Sequence, residues 1–254
     1  MATALSNLSR GSSSSSPMTP PRSAMESCFV STRDGIVLHA RLFKPTPTTA
    51  EPSPSPSPSA SAQAATAVVL VHPYSKLGGC QVIMHGIASR LSIKGLTAVT
   101  FDMRGVGRST GKSSITGIPE IEDVVAVCNW VSDNLPVDRI LLVGSSAGAP
   151  IAGSALDHLE KVVGYVSIGY PFGLAASFLF GKHYKPTLKA RKPKLFIMGS
   201  ADWFTSVRQL KSKVKSCDGR AEMHLIQGAG HFEVEGPAFD SVMVNLIVEF
   251  HETL

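Results

Sequence analysis

Short apolar runs alternate with amphipathic stretches along most of this chain, and this alternation limits the possible folds more than any other feature. The runs are rich in Val, Ile and Leu, which is typical of strands that are buried on both faces of a sheet. The stretches between them place apolar residues three or four positions apart, the spacing of a helix with one buried face. This pattern predicts an α/β fold in which helices cover both faces of a mostly parallel sheet.

The bounds of the predicted elements follow from the same pattern and from the turn residues between them. The predicted strands are Phe29–Thr32, Val37–Phe43, Val68–Val71, Thr97–Phe101, Ile140–Val143, Val162–Ile168, Leu195–Met198 and Glu222–Ile226. The first two form a hairpin across Asp34-Gly35. The predicted helices cover Gln81–Ser92, Pro119–Asn134, Ala147–His158, Thr205–Val214 and Ser241–His251. Ligands of such sheets bind at the carboxyl ends of the strands, so functional residues are expected there.

Composition indicates one domain with a low-complexity tail and loop. Of the 254 residues, 43% are hydrophobic and 17% are charged, which suffices for a sizeable core and excludes wholesale disorder. Residues 1–27 are Ser-rich with no acid before Glu26, a composition that fits a disordered tail or an organellar targeting segment. Pro-Ser repeats predict an extended loop at about 45–66. Residues 28–254 are therefore assigned to one α/β domain that includes this loop.

Charge and cysteine content exclude several classes of function. The net charge is only +5, and no nucleic-acid-binding module is recognisable, so no nucleic-acid partner is expected. The four cysteines form no CxxC pair, which favours a reduced intracellular protein over a disulfide scaffold or a zinc site. A cytoplasmic location is expected, with a chloroplast or another organelle as the alternative suggested by the Ser-rich N-terminus.

One uncharged stretch, Val162–Gly181, has the 20-residue length of a membrane span. Its glycines and its proline interrupt a continuous helix. We therefore predict a strand at Val162–Ile168, a turn at Tyr170-Pro171 and a short apolar helix, and no transmembrane segment.

The pentapeptide Gly144-Ser145-Ser146-Ala147-Gly148 lies where a predicted strand meets a predicted helix. This is the G-x-S-x-G pattern in the context that a nucleophilic serine requires, because a sharp turn there projects the hydroxyl of Ser146 above the sheet. The new helix also directs its free N-terminal amides towards the reacting oxygen. The alternative is an ordinary turn of small residues between a strand and a helix.

A serine hydroxyl needs a base to become nucleophilic, and a histidine base needs an acid to orient it. His231 is the candidate base, because it lies between glycines and the last predicted helix, after the last strand. Asp202 is the candidate acid, since it follows the strand Leu195–Met198. Asp102 also ends a strand, but it precedes the serine in the chain and lies in a glycine-rich turn that its carboxylate is better placed to brace.

A developing oxyanion needs two backbone N–H donors. The amide of Ala147, directly after the candidate nucleophile, is the first candidate. The second is Tyr74, in the loop after Val68–Val71, because Pro73 has no N–H. The Tyr74 hydroxyl could serve instead, and a simple strand-to-helix connection is the alternative for the whole loop.

With these motifs in this order, the chain resembles the α/β-hydrolase superfamily from about residue 28 to its C-terminus. The order of Ser146, Asp202 and His231 is the family's order of nucleophile, acid and histidine. The turn Asp102–Ser109 is similar to the one that follows the family's fourth strand. One departure is His72-Pro73, where many members have His-Gly, although peptidase-like and thioesterase-like branches carry His-Pro. The Ser-Pro-rich tail suggests a plant member.

The resemblance also implies a cap after the sixth strand, and only residues 170–193 are available for it. A cap this small implies an open site. Phe172, Phe178 and Trp203 are candidate walls of a substrate pocket, with ordinary packing onto the sheet as the alternative. No acid lies between Glu160 and Asp202, where seven Lys or Arg occur. A basic rim there would steer anionic substrates, although a solvated loop explains it as well.

These features together predict a serine hydrolase that cleaves a carboxylic ester or thioester through an acyl-enzyme on Ser146. Its substrate is a small molecule, anionic if the basic rim acts in binding, and no metal or organic cofactor is implied. The alternative from another class is a small-molecule receptor or binding protein on a hydrolase fold, because a fold does not determine function. A third possibility is a scaffold that docks partners through its Ser-Pro-rich loop.

Overall fold

A computed structural model of the protein describes residues 25–45 and 65–254. The predicted tail at 1–27 and the predicted loop at 45–66 lie outside the described residues except at their edges. Residues 25–27 belong to the first strand, and residue 66 begins the third. The first strand starts earlier than predicted because its pairing with the second continues from Ser31 opposite Val37 to Met25 opposite Phe43.

Within the described ranges, eight strands form one sheet in the order β1-β2-β4-β3-β5-β6-β7-β8. The strands are β1 Met25–Ser31, β2 Val37–Phe43, β3 Thr66–Val71, β4 Thr97–Phe101, β5 Arg139–Ser145, β6 Val162–Ile168, β7 Lys194–Gly199 and β8 Ala221–Ile226. β2 pairs antiparallel with both of its neighbours, whereas β3 to β8 are all parallel. The sheet is therefore mostly parallel, as predicted.

Seven α-helices connect or flank these strands in the described part of the chain. They are α1 His85–Ile93, α2 Glu120–Asn134, α3 Gly148–Ala155, α4 Leu174–Lys189, α5 Val207–Lys215, α6 His231–Val234 and α7 Asp240–Glu252. Apolar residues of α1 and α7 pack on one face of the sheet. Those of α2, α3, α4 and α5 pack on the other face. Two apolar layers thus enclose the sheet, which is why β3 is buried along its whole length.

The sheet order brings two predicted functional loops together. β3 and β5 are neighbours, with Val71 opposite Gly144 at their carboxyl ends. β6 follows β5, with Ile168 opposite Ser145. The loop that carries Tyr74 and the turn that carries Ser146 therefore leave the same edge of the sheet side by side.

The stretch between β6 and β7 differs in part from its prediction. The predicted short apolar helix is α4, which is 16 residues long and continues into a Lys-rich second half. It is longer than predicted because its buried side includes Ala176, Phe180, His183 and Thr187, spaced for a single continuous helix. No helix within residues 25–45 and 65–254 is both long and apolar enough to cross a membrane.

Candidate active site

Ser146 occupies a sharp turn between β5 and α3. Its φ of +47° is in the left-handed region, and no other non-glycine residue in the described ranges has a positive φ. For a residue with a Cβ this conformation costs about 1–2 kcal/mol. The N–H of Ser146 donates to the carbonyl of Ile168 over 2.8 Å, which ties the turn to the end of β6. The strained geometry is therefore held by the sheet itself.

The two glycines of the pentapeptide are required by crowding on both sides of this turn. A Cβ at Gly144 would lie 2.6 Å from the Cα of Ala149. A Cβ at Gly148 would overlap the carbonyl oxygen of His72, at the end of β3. Larger residues at either position would force the helix away from the sheet, so the glycines allow Ser146 to stand at the sheet edge.

Ser146, His231 and Asp202 form a continuous chain of hydrogen bonds. The Oγ of Ser146 is 2.9 Å from Nε2 of His231, and Nδ1 of His231 is 2.6 Å from Oδ2 of Asp202. Because an ionised carboxylate only accepts hydrogen bonds, Nδ1 carries the proton and Nε2 is free to accept from the serine. The side chains of His231 and Asp202 are almost fully buried, which shields this chain from competing water.

The second carboxylate oxygen of Asp202 is held by the backbone. Its Oδ1 accepts the N–H groups of Phe204 at 2.7 Å and Thr205 at 3.0 Å. These two bonds fix the carboxylate plane and leave Oδ2 directed at the imidazole. The loop after β7 thus supplies both the acid and the groups that orient it.

Two residues that the sequence analysis did not single out hold the imidazole of His231. Gly169, with a φ of +64°, lies so close that a Cβ there would be 3.1 Å from Cε1 of His231. The ring of Phe204 lies on another side, with its centroid 4.4 Å from that of the imidazole. The position of Gly169 directly after a buried strand was the only sequence signal for it, whereas Phe204 carried none.

Asp102 lies in a different hydrogen-bond network. Its Oδ1 accepts the backbone N–H of Gln81 at 2.9 Å, and its Oδ2 accepts the side-chain amide of Gln81 at 2.8 Å. The carbonyl of Asp102 accepts from the hydroxyl of Ser109 over 2.6 Å. A Cβ at Gly107 would overlap the Asp102 carboxylate, so this turn needs glycine there. Asp102 therefore braces the glycine-rich turn.

The candidate oxyanion donors Ala147 and Tyr74 are associated with the same apolar cluster. Ala147 is buried in a small apolar cluster with Ala176 and Phe180 of α4, and Tyr74 packs against this cluster. The Tyr74 hydroxyl donates to the carbonyl of Ile115 over 3.0 Å. Within the described residues, neither backbone N–H of this pair has a hydrogen-bond acceptor. The geometry therefore leaves the two amides available and engages the hydroxyl elsewhere.

His72 sets the direction of the Tyr74 loop. It is fully buried; its Nδ1 donates to the carbonyl of Pro73 over 2.7 Å, and its Nε2 accepts the N–H of Met103 over 3.1 Å. Burial lowers the pKa of His72, so its neutral form is favoured. Pro73 thus takes part in fixing the loop, although it cannot donate from its own nitrogen.

The three candidate pocket residues do not come together as one wall. Phe172 is 4% exposed and stacks on Tyr170 with a centroid distance of 4.0 Å, so it belongs to the core. Phe178 is 91% exposed because it lies on the side of α4 opposite its buried residues. Trp203 is 71% exposed and stacks on Phe204. The expectation of a pocket wall is therefore corrected for Phe172 and Phe178.

A carboxyl group that the sequence places too close to His231 to orient it, that of Glu235, instead binds the residue before the candidate nucleophile. The hydroxyl of Ser145 donates to Oε1 of Glu235 over 2.7 Å. Burial raises the pKa of the Glu235 carboxyl, and the nearby Asp202 raises it further. Ser145 is thus engaged away from His231, which leaves Ser146 as the hydroxyl that reaches the imidazole.

Comparison with known proteins extends these observations. A family model described as "alpha/beta hydrolase fold" matches residues 66–187. A structure of an α/β serine hydrolase homologue from Coxiella burnetii is 25% identical, with a TM-score of 0.68, and covers 92% of this chain and 99% of that one. An α/β serine hydrolase from Xanthomonas campestris, described as without lid, is 24% identical, with a TM-score of 0.70 and coverage of 92% and 97%.

A third solved structure, an esterase from Pyrococcus furiosus, is 19% identical with a TM-score of 0.70 and covers 93% of this chain and 99% of that chain. At this level of sequence identity, a structural match shows similarity of fold only. The matched fold agrees with the eight-stranded sheet described above. The family model spans the strands and turns on both sides of Ser146. The chain therefore has the α/β-hydrolase fold, and residues 66–187 match the model of that family.

Proposed function

We propose that this protein is a serine hydrolase that cleaves a carboxylic ester or thioester through an acyl-enzyme on Ser146. The observation that carries the proposal is the hydrogen-bonded chain from Ser146 through His231 to Asp202, built on a serine in the left-handed conformation. Strained backbone is kept where a function needs it. An ordinary turn would place glycine or asparagine there without cost.

In the proposed reaction, the Oγ of Ser146 attacks the carbonyl carbon while Nε2 of His231 accepts its proton. Asp202 keeps the imidazole in the required tautomer and stabilises its charged form. The bond to the leaving group then breaks, and the imidazolium protonates the departing alcohol or thiol. General base catalysis of this kind contributes roughly 10²–10⁴-fold to the rate.

The amides of Ala147 and Tyr74 are proposed to bind the oxyanion of the tetrahedral intermediate. Both lie at the sheet edge beside Ser146, and the N-terminus of α3 adds its partial positive charge there. Loss of one such donor typically lowers kcat by roughly 10²–10³-fold. Backbone donors cannot be removed by side-chain substitution, so their contribution is best tested with a transition-state analogue such as a boronic acid.

Hydrolysis of the acyl-enzyme completes the cycle. Water attacks the ester carbonyl as Nε2 of His231 accepts a proton from it, and the carboxylic acid leaves as Ser146 regains its proton.

Labelling with a fluorophosphonate tests the nucleophile, because only an activated serine reacts rapidly with it. We expect one adduct on Ser146, none in Ser146→Ala, and strongly reduced labelling in His231→Ala. Ser145→Ala is the matched control, since that hydroxyl is bound to Glu235 and should be dispensable for labelling. An adduct on Ser145, or no adduct in a folded protein, would favour the receptor alternative.

A panel of esters and acyl thioesters of increasing chain length tests the reaction class. Multiple turnovers on at least one chain length, abolished by Ser146→Ala, are expected. Tight retention of a ligand after a single slow turnover would contradict the proposal of an enzyme and indicate a receptor.

A further inference from the structure

The charge of this protein is concentrated in one segment of its chain. Residues 161–217 contain 11 Lys or Arg and a single acid, Asp202, a net charge of +10. The remaining residues contain 13 basic and 18 acidic side chains, a net charge of −5. Asp202 and Lys194 are both buried, so neither contributes to the surface charge of this segment. The modest overall charge therefore conceals a strongly basic region.

The helices α4 and α5 carry most of this charge on their outer surfaces. Lys182 and Lys185 are exposed on α4, where Lys189 pairs with Asp218 at 3.1 Å. The two helices are neighbours, because the ammonium group of Lys213 in α5 lies 5.6 Å from the ring of Tyr184 in α4. Exposed basic residues of α5, spaced three and four positions apart, are Arg208, Lys211 and Lys215. Exposed basic side chains therefore lie on both of these neighbouring helices, and we call them together the basic face.

An exposed apolar patch adjoins this basic face at the mouth of the site. Leu174 is 88% exposed, and Phe178 follows it one turn later on the same side of α4. Trp203 and Phe232 are also exposed, with ring centroids 6.3 Å apart. A Cβ at Gly173 would overlap the carbonyl oxygen of Phe204, so the first turn of α4 touches the loop that carries Trp203. These four side chains form what we call the apolar rim.

We propose that the apolar rim and the basic face of α4 and α5 dock this protein on an anionic lipid surface. Protein segments that insert at the boundary between lipid headgroups and acyl chains typically expose Trp, Phe and Leu beside Lys. Side chains that protrude almost completely, such as Leu174 and Phe178, suit a deformable lipid layer better than a protein partner, which would need a matching pocket for each. The lysines supply attraction to anionic headgroups.

Docking through the apolar rim and the basic face would orient the protein so that lipid lies close to the proposed reaction centre. Phe232 follows His231 in the chain, and Trp203 follows Asp202, so the rim borders the candidate triad directly. Docking through this rim would present the mouth of the site to amphiphilic molecules in the lipid layer. The surface proposal does not depend on hydrolysis, since a protein without turnover would dock equally well.

Co-sedimentation of the full-length chain with vesicles tests this proposal. We expect binding to phosphatidylcholine vesicles that contain phosphatidylserine, weak binding to pure phosphatidylcholine, and a decrease with salt. Each lysine near such a surface contributes roughly fivefold to binding, so Lys182→Gln/Lys185→Gln should weaken it by more than about tenfold. Leu174→Ser/Phe178→Ser should also weaken binding, by removing the inserted groups.

Matched controls come from the end of α1, on the other face of the sheet. Ile93 and Lys94 are exposed there, so Ile93→Ser/Lys94→Gln removes one apolar group and one charge without touching the proposed surface. This control should bind like the unchanged protein, and melting curves should show that every variant is folded. Binding by Ser146→Ala should also be unchanged, which separates docking from the proposed hydrolysis.

Three outcomes would overturn the proposal. The first is no binding to the anionic vesicles, and the second is an equal loss of binding in the α1 control. The third combines two results: Leu174→Ser/Phe178→Ser binds anionic vesicles as well as the unchanged protein does, and soluble polyglutamate displaces both proteins from the vesicles equally. This combination would indicate a surface for acidic proteins instead.

Discussion

At the scale of single residues, Asp202 and Asp102 have different consequences when their charge is removed. Asp202→Asn leaves the backbone bonds to Oδ1 in place but offers His231 an amide that can stabilise the wrong tautomer. We expect the ester-hydrolysis rate to fall by roughly 10²–10⁴-fold in a folded protein. Asp102→Asn should instead lower the melting temperature, because it disturbs the bonds to Gln81. Loss of turnover in folded Asp102→Asn with normal turnover in Asp202→Asn would reverse these roles.

A second residue-scale prediction concerns the pH dependence of stability at Glu235. Burial raises the pKa of this carboxyl in the folded state, so the folded protein holds its proton more tightly than the unfolded chain. Its contribution to stability is therefore present at low pH and is lost as pH rises through the folded-state pKa. Glu235→Gln should raise the melting temperature at neutral pH and have little effect near pH 4.

The exposed neighbour Glu233 provides the control for that measurement. Glu233 is exposed and accepts the N–H of Gly230, a role that glutamine can also fill. Glu233→Gln makes the same chemical change without altering a buried carboxyl, so the pH-dependent gain in melting temperature should be specific to Glu235→Gln. Equal pH dependence in both variants would mean that burial of Glu235 is not the cause.

The sequence predicted the three candidate catalytic residues but not the residues that pack against them and fix their positions. Ser146, Asp202 and His231 each follow a predicted strand, and parallel strands bring such positions to one edge, so their proximity could be predicted. Their roles remain proposals. Gly169 and Phe204 touch His231 because β6, β7 and β8 are neighbours in the sheet, and nothing in the local sequence marks that contact.

At the scale of elements, a buried ion pair joins the glycine-rich turn to α2. The Nε of Arg104 donates to Oδ1 of Asp123 over 2.8 Å, and both side chains are almost fully buried. The same guanidinium also reaches Asp34, in the turn between β1 and β2. Arg104→Met should destabilise the protein by roughly 3–5 kcal/mol, because it leaves a buried carboxylate unpaired.

Chemical denaturation measures this effect, with an exposed pair as its control. Lys44 and Glu26 are 50% and 53% exposed, and Nζ of Lys44 lies 2.6 Å from Oε1 of Glu26, so Lys44→Met should change stability by less than about 1 kcal/mol. Similar losses in both variants would show that the buried pair contributes no more than the surface pair.

The accuracy of the predicted elements followed their burial. Thr97–Phe101 and Val162–Ile168 were predicted with the bounds that the structure has, since strands covered on both faces must be apolar throughout. The helix predicted from Gln81 begins with a 3₁₀ turn and becomes α-helical only at His85. Helix α4 was predicted as short because the prediction considered only the uncharged stretch that ends at Gly181, whereas the helix continues to Lys189.

At the scale of the whole molecule, the Ser-Pro-rich segment joins two strands that end close together. β2 and β3 are separated only by β4, and Phe43 lies opposite Ala98 at the end where Ala67 lies opposite Thr97. Two strand spacings are about 10 Å, which a linker of about six residues can span. Replacing Glu51–Ala64 with a short Gly-Ser linker should therefore leave the melting temperature almost unchanged. A loss of several degrees would contradict this expectation.

The left-handed backbone conformation of Ser146 also predicts which substitutions would be favoured at position 146 if the proposed reaction were no longer selected. Glycine or asparagine at 146 would relieve the conformational cost, so a lineage released from selection for catalysis would gain stability by losing the serine. His231 and Asp202 carry no such cost, and their replacement would leave buried polar groups unpaired. Descendants of this protein that lose the proposed activity are therefore expected to change first at position 146 and to retain the histidine and the aspartate.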